Sequence, residues 1–110
     1  GDVYKRQYTK LASIIFDEID TGISGSVSSK VGELMKFMAK NMQVIVITHT
    51  PQVASKGDFH YKVFKKEVEN KIITDIKLLE DKERVKEIAE MLSGDKSNKS
   101  ANELANELLN

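Results

Sequence analysis

Three carboxylates, Asp17, Glu18 and Asp20, follow directly on the apolar run at residues 11–16, and no lysine or arginine occurs between residues 11 and 29. Acids crowded together without a local base repel one another unless a cation or open water stabilises them. In open α/β sheets, ligands collect outside the carboxyl ends of the strands. A hard divalent cation such as Mg²⁺ takes oxygen ligands, usually one or two carboxylates plus phosphate oxygens. An apolar strand followed by Asp-Glu is therefore an address for metal-assisted phosphate chemistry. Spacing alone also allows the blander reading, in which the acids sit in solvent and cap the next helix. A second candidate is His49, in the run Thr48-His49-Thr50-Pro51. An imidazole can donate to a phosphate oxygen or orient a water at neutral pH, although a lone histidine behind a strand can equally be structural or merely exposed.

For these groups to meet, the elements that carry them must be neighbours. Residues 11–16 (LASIIF) and 44–48 (VIVIT) are short, β-branched and lack polar alternation, the pattern of parallel strands buried on both faces. Between them Val27, Val31, Leu34, Met35 and Met38 fall on one helical stripe. Ser24 or Ser26 is placed to cap its start and Asn41 to end it in the left-handed conformation. Strand, helix and strand make a βαβ unit, which brings His49 out at the same sheet edge as Asp17 and Glu18. Pro51 then pre-sets a short helix that Gly57 can end. Phe59, Tyr61 and Val63 alternate with polar residues, and residues 72–79 repeat the mixture, with Glu69, Asn70 and Lys71 as the turn; this predicts an antiparallel hairpin with one wet face. Two helices close the chain. Val85, Ile88, Ala89 and Leu92 line the first, with Asp81 as cap and Gly94 as stop, and Ala101, Leu104, Ala105 and Leu108 line the second.

Composition narrows the classes. The 110 residues carry 17 Lys+Arg against 17 Asp+Glu and no cysteine. Zero cysteines exclude disulfide frameworks, thiol catalysis and zinc knuckles. Balanced charge argues against DNA binding through a basic arm of this chain. No apolar run spans a membrane, and a cytoplasmic setting is expected.

The string IIFDEIDTGISG, followed by VIVITHTPQVAS and DKERVKEIAEMLSG, resembles the C-terminal part of the RecN family, bacterial DNA repair members of the SMC-like ABC-type ATPases. The likeness runs from about residue 11 to the C-terminus. It implies an α/β fold, the C-terminal part of an ABC-type (P-loop NTPase) ATPase head. Residue by residue, it implies that Ile14 to Glu18 match the Walker B motif, with Asp17 holding Mg²⁺ through water and Glu18 polarising the attacking water. It further implies that Asp20, Thr21, Gly22, Ser24 and Gly25 belong to the D-loop at the interface of two nucleotide-sandwiching heads, and that His49 is the switch histidine contacting the γ-phosphate of ATP. Many ABC proteins have aspartate where Ser24 stands, so the contact made there across the interface stays open.

Two expected parts are missing from the sequence. No G-x-x-x-x-G-K-[ST] run and no Ser-Gly-Gly signature motif occur. Residues 1–7 fit no element. The expectation is therefore a non-native or poorly ordered start at residues 1–10 and a C-terminal lobe at residues 11–110, inactive alone. Its implied partners are an N-terminal P-loop segment of the same protein, a second head in a homodimer, and DNA through the full-length protein. The implied setting is the bacterial cytoplasm and nucleoid. Another SMC-like or transporter ATPase, or a non-catalytic dimerisation module, remain the alternative readings.

Overall fold

A computed structural model describes residues 12–96 and 98–110, so the expectation for residues 1–10 lies outside the described residues. In chain order the elements are β1 (Ser13–Asp17), α1 (Gly25–Met38), β2 (Gln43–Ile47), α2 (Pro51–Ala54), β3 (Tyr61–Val68), β4 (Lys71–Leu78), α3 (Asp81–Ser93) and α4 (Lys99–Leu109). This is the mixed α/β order read from the pattern: a parallel strand-helix-strand unit, a hairpin and two helices.

The strands β1 and β2 pair in parallel from Ser13 with Gln43 to Asp17 with Ile47. Both consist largely of Ile and Val, whose branched side chains suit a pleated surface. Burial on both faces was the expectation, and the structure corrects it. Ile14, Phe16, Val44 and Val46 are partly covered, whereas Ile15, Ile45 and Ile47 share an exposed face. Among the described residues no element lies over that second face. An open groove of about 990 Å³ runs along all of β2 to Tyr61, Val63 and Ile76 of the hairpin.

Helix α1 begins at Ser24, whose hydroxyl accepts from the Val27 N–H at 3.4 Å. It ends at Ala39 with right-handed geometry rather than at Asn41. Its buried stripe is Ser28, Gly32 and Met35, while Val27 and Leu34 are exposed. The shift of face has a steric cause. Helix α2 crosses directly over Gly32, where a Cβ would lie 3.1 Å from the Gln52 carbonyl oxygen and 3.4 Å from the Val53 Cα. Gly32 therefore faces α2 on the buried stripe it shares with Ser28 and Met35, while Val27 and Leu34 turn away.

In the β3–β4 hairpin Glu69 and Asn70 both take positive φ, 49° and 64°, as a two-residue turn matched to strand twist requires. In place of the single wet face expected, both faces of the hairpin are largely exposed, with only Lys62, Phe64 and Asp75 partly covered. Tyr61, Val63 and Ile76 are exposed toward the groove, and Leu78 is exposed as well. The opposite, polar side meets α3, where Lys62 pairs with Glu87 at 2.7 Å and Lys77 pairs with Glu83. His60 precedes β3, with its Nδ1 buried and unpartnered.

The densest packing is between α3 and α4. Ile88, Ala89, Ala101 and Ala105 are buried there, with Val85, Leu92 and Leu108 around them and Ala54 of α2 against them. Alanines at this contact let the two helix backbones approach closely. The start of α3 departs from expectation: Glu80 is its N-cap, with its N–H donating to the Glu83 carboxylate at 3.1 Å, and Asp81 sits in the first turn. Gly94 ends α3 at φ 79°, as its lack of a Cβ permits. Arg84 ties α3 to α2 by donating to the carbonyls of Ala54 and Gly57 at 3.0 and 2.6 Å.

Candidate functional site

The parallel register determines what meets at the sheet edge. Asp17 lies opposite Ile47, so the residues just after each strand emerge side by side. The ladder continues one step further, with the Glu18 N–H donating to the Ile47 carbonyl at 2.7 Å. At Glu18 the backbone turns into the left-handed region, φ 51°, and the Thr21 N–H donates back to its carbonyl at 3.3 Å. A non-glycine residue there carries strain of about 1–3 kcal/mol, maintained by its surroundings. The turn leaves the Glu18 carboxylate beside the end of β2, where its Oε1 lies 3.5 Å from Nδ1 of His49. Both side chains are largely exposed. The pairing that the sequence suggested is thus present: a carboxylate able to accept from a water beside an imidazole able to donate to an anion.

Asp17 is also exposed, at the last position of β1. Among the described residues no three His, Asp or Glu side chains converge to hold a metal. A hard cation at this edge would be held by the single carboxylate of Asp17, with water and phosphate oxygens completing its shell.

Asp20 behaves differently from its two neighbours. Sequence spacing places it in the acidic cluster, yet only 1% of it is exposed. Its Oδ2 accepts from the Thr48 hydroxyl at 2.5 Å and from the Thr50 hydroxyl as well. These threonines flank His49, with hydroxyl oxygens 3.1 Å apart and both hydroxyl protons directed to Asp20, and the Thr50 N–H donates to Thr48 Oγ1 at 3.0 Å. Burial alone would push the Asp20 carboxyl up. The two hydroxyls, its own N–H and the charge of His49 outweigh burial and hold it below the usual carboxylate range. Its Oδ1 is buried without a partner. Of the three acids only Asp17 and Glu18 are therefore exposed at the sheet edge. The Thr48-x-Thr50 pair around the histidine is the sequence signal for this.

The rest of the loop after β1 is exposed: Thr21, Gly22, Ser24 and Gly25 all face outward. Gly22 takes φ 81° with no atom near an added Cβ, so backbone conformation alone favours glycine there. On the other side Pro51 starts α2 one residue after Thr50, which sets the exit path of the His49 loop.

No protein-family model matches the chain. Over 97 residues it is 50% identical to DNA repair protein RecN of Rickettsia conorii, covering 88% of this chain and 18% of that protein. RecN of Halalkalibacterium halodurans is 41% identical over 99 residues, 90% of this chain and 18% of that one. RecN of Deinococcus radiodurans is 42% identical over 97 residues, 88% of this chain and 17% of that one. The chain thus spans less than a fifth of the length of these relatives. A solved structure from work on ATP-driven dimerization and DNA-stimulated activation of SMC ATPases matches with a TM-score of 0.54 and 23% identity, over 74% of this chain and 48% of that one. At that identity the likeness is one of fold.

Proposed function

The chain is related along 88–90% of its length to DNA repair protein RecN, and from that premise we propose that it forms the C-terminal lobe of an ATPase head acting in recombinational repair of DNA double-strand breaks. The observation that carries this reading is the Glu18–His49 pair, 3.5 Å apart at the carboxyl edge of a parallel sheet.

In this reading the substrate is ATP. Glu18 accepts a proton-bearing contact from the attacking water and aligns it, and His49 donates to the γ-phosphate. Asp17 holds Mg²⁺ through water, and the chemistry that ion supplies when bound is neutralisation of charge on the phosphate oxygens. Positioning and electrostatics carry most of the catalysis in phosphoryl transfer, so few protein groups need to change protonation state. The chain has no glycine-rich phosphate loop of its own. That loop would come from an N-terminal segment of the same protein, docking along the groove beside β2 and covering the exposed Ile45, Ile47 and Tyr61. The exposed residues Thr21, Gly22, Ser24 and Gly25 would meet a second head. Contact with DNA would be made by the full-length protein, since charge on this segment is balanced. The setting is the bacterial cytoplasm; among the described residues no helix is long and apolar enough to cross a membrane.

The test is ATP turnover by the full-length protein and by the 110-residue chain, each with and without Glu18→Gln. We expect the full-length protein to lose turnover with Glu18→Gln and the isolated chain to show none. Unchanged turnover in the full-length Glu18→Gln protein refutes the assignment, and Glu18-dependent turnover by the chain alone refutes the need for a second segment.

A further inference from the structure

We propose that Asp20 is a positioning residue for this site, a buried carboxylate that locks the loop bearing Glu18 to the loop bearing His49. The inference rests on the ATPase reading above and extends it to a residue that touches no reactant.

The argument starts from what holds the two loops. The β1–β2 ladder ends with the Glu18 N–H on the Ile47 carbonyl. Beyond that point, among the described residues, the hydrogen bonds joining the two loops are those from Thr48 and Thr50 to Asp20. Asp20 lies two residues after Glu18, and the threonines stand immediately on either side of His49. The cross-link therefore encloses both candidate groups between the end of the sheet and one buried carboxylate. Both hydroxyls converge on the same oxygen, Oδ2, so a shift of either loop weakens both bonds together. Hydrogen bonds to an ionised acceptor are about twice as strong as neutral ones, and losing the acceptor leaves two donors without a partner in a partly buried place. Glu18 and His49 are themselves exposed and in contact only at 3.5 Å. They cannot hold each other in place, so their separation is set by the atoms behind them. Misplacement of reacting groups by an ångström costs about a hundredfold in rate.

The experiment uses the full-length protein and measures kcat and KM for ATP, with circular dichroism melting to confirm folding. Asp20→Ala is expected to lower kcat about 10- to 100-fold while KM stays within about twofold, because no nucleotide contact is removed. The pair Thr48→Val with Thr50→Val deletes both hydroxyls at nearly constant volume and is expected to give a similar loss. All three changes together should cost no more than the larger separate effect, because they break one cross-link. Asp20→Asn keeps an acceptor oxygen and should regain most of what Asp20→Ala loses. Where Asp20→Ala fails to fold, the threonine pair and Asp20→Asn decide the matter. A folded Asp20→Ala protein with unchanged kcat overturns the proposal, as do losses that multiply in the triple variant. Glu18→Gln run alongside separates the two levels. Full turnover in Glu18→Gln sinks the ATPase assignment and this proposal with it, whereas a dead Glu18→Gln beside an active Asp20→Ala sinks only the positioning role.

Discussion

Gly32→Ala sets two effects of similar size against each other. Gly32 lies in the interior of α1, and replacing an interior helical glycine by alanine ordinarily stabilises by about 1 kcal/mol, through a stiffer unfolded chain and better propensity. Here the new methyl meets α2. Its nearest neighbours would be the Lys56 Cγ at 2.8 Å, the Gln52 carbonyl oxygen at 3.1 Å and the Val53 Cα at 3.4 Å. Lys56 can move its Cγ only by changing its χ1 rotamer. The Gln52 carbonyl and Val53 Cα cannot move, because α2 is pinned from behind by the two Arg84 hydrogen bonds and Val53 is buried. Forcing a methyl into a filled contact costs about 1–3 kcal/mol, so overlap should win by about 1 kcal/mol. For a domain of this size that lowers the melting temperature by roughly 4–6 °C. Melting followed by circular dichroism measures it, and adding Lys56→Ala identifies the obstacle. If backbone is the obstacle, Lys56→Ala restores little of the loss. A Gly32→Ala chain more stable than the parent refutes the account of why α1 presents Gly32 to α2.

Two further outcomes follow from the same structure. At Glu18 the positive φ of 51° should invert the usual order of substitutions: Glu18→Gly is expected to be more stable than Glu18→Ala by about 1 kcal/mol, and urea midpoints in the opposite order would remove the case for a strained backbone there. His60 should make stability fall in acid. Burial first, and then the charges of Arg84 and Lys62, lower its pKa from the ordinary 6.5, with Glu87 opposing them. The unfolded chain then takes up a proton before the folded one, so this contribution is full above about pH 6.5 and is lost as pH falls through the lower folded value. The loss of stability between pH 7.5 and pH 5 should be smaller in His60→Gln than in the parent, and equal slopes would exclude His60 as the source.

Much of this protein could be read from local sequence, for reasons specific to each element. Short β-branched runs, a helix stripe and Pro51 and Gly94 at helix boundaries report on backbone preferences that act within a few residues. They were enough to place the βαβ unit, the hairpin and both C-terminal helices. The same order determined that Asp17, Glu18 and His49 share a sheet edge, since parallel neighbours must end on the same side. Where choices depended on what lies opposite, sequence pattern misled. Val27 and Leu34 have the apolarity of core residues, but the crossing of α2 at Gly32 admits only small side chains, so they face outward. Tyr61 and Val63 read as the covered face of the hairpin, but they stay exposed, and the side that meets α3 is the one carrying Lys62 and Lys77, paired with Glu87 and Glu83. Asp20 looks, by type and spacing, like a third ligand of an acidic cluster. Tertiary structure alone decided that it is an internal acceptor, because the two hydroxyls that satisfy it lie 28 and 30 residues away and reach it only when β2 has paired with β1.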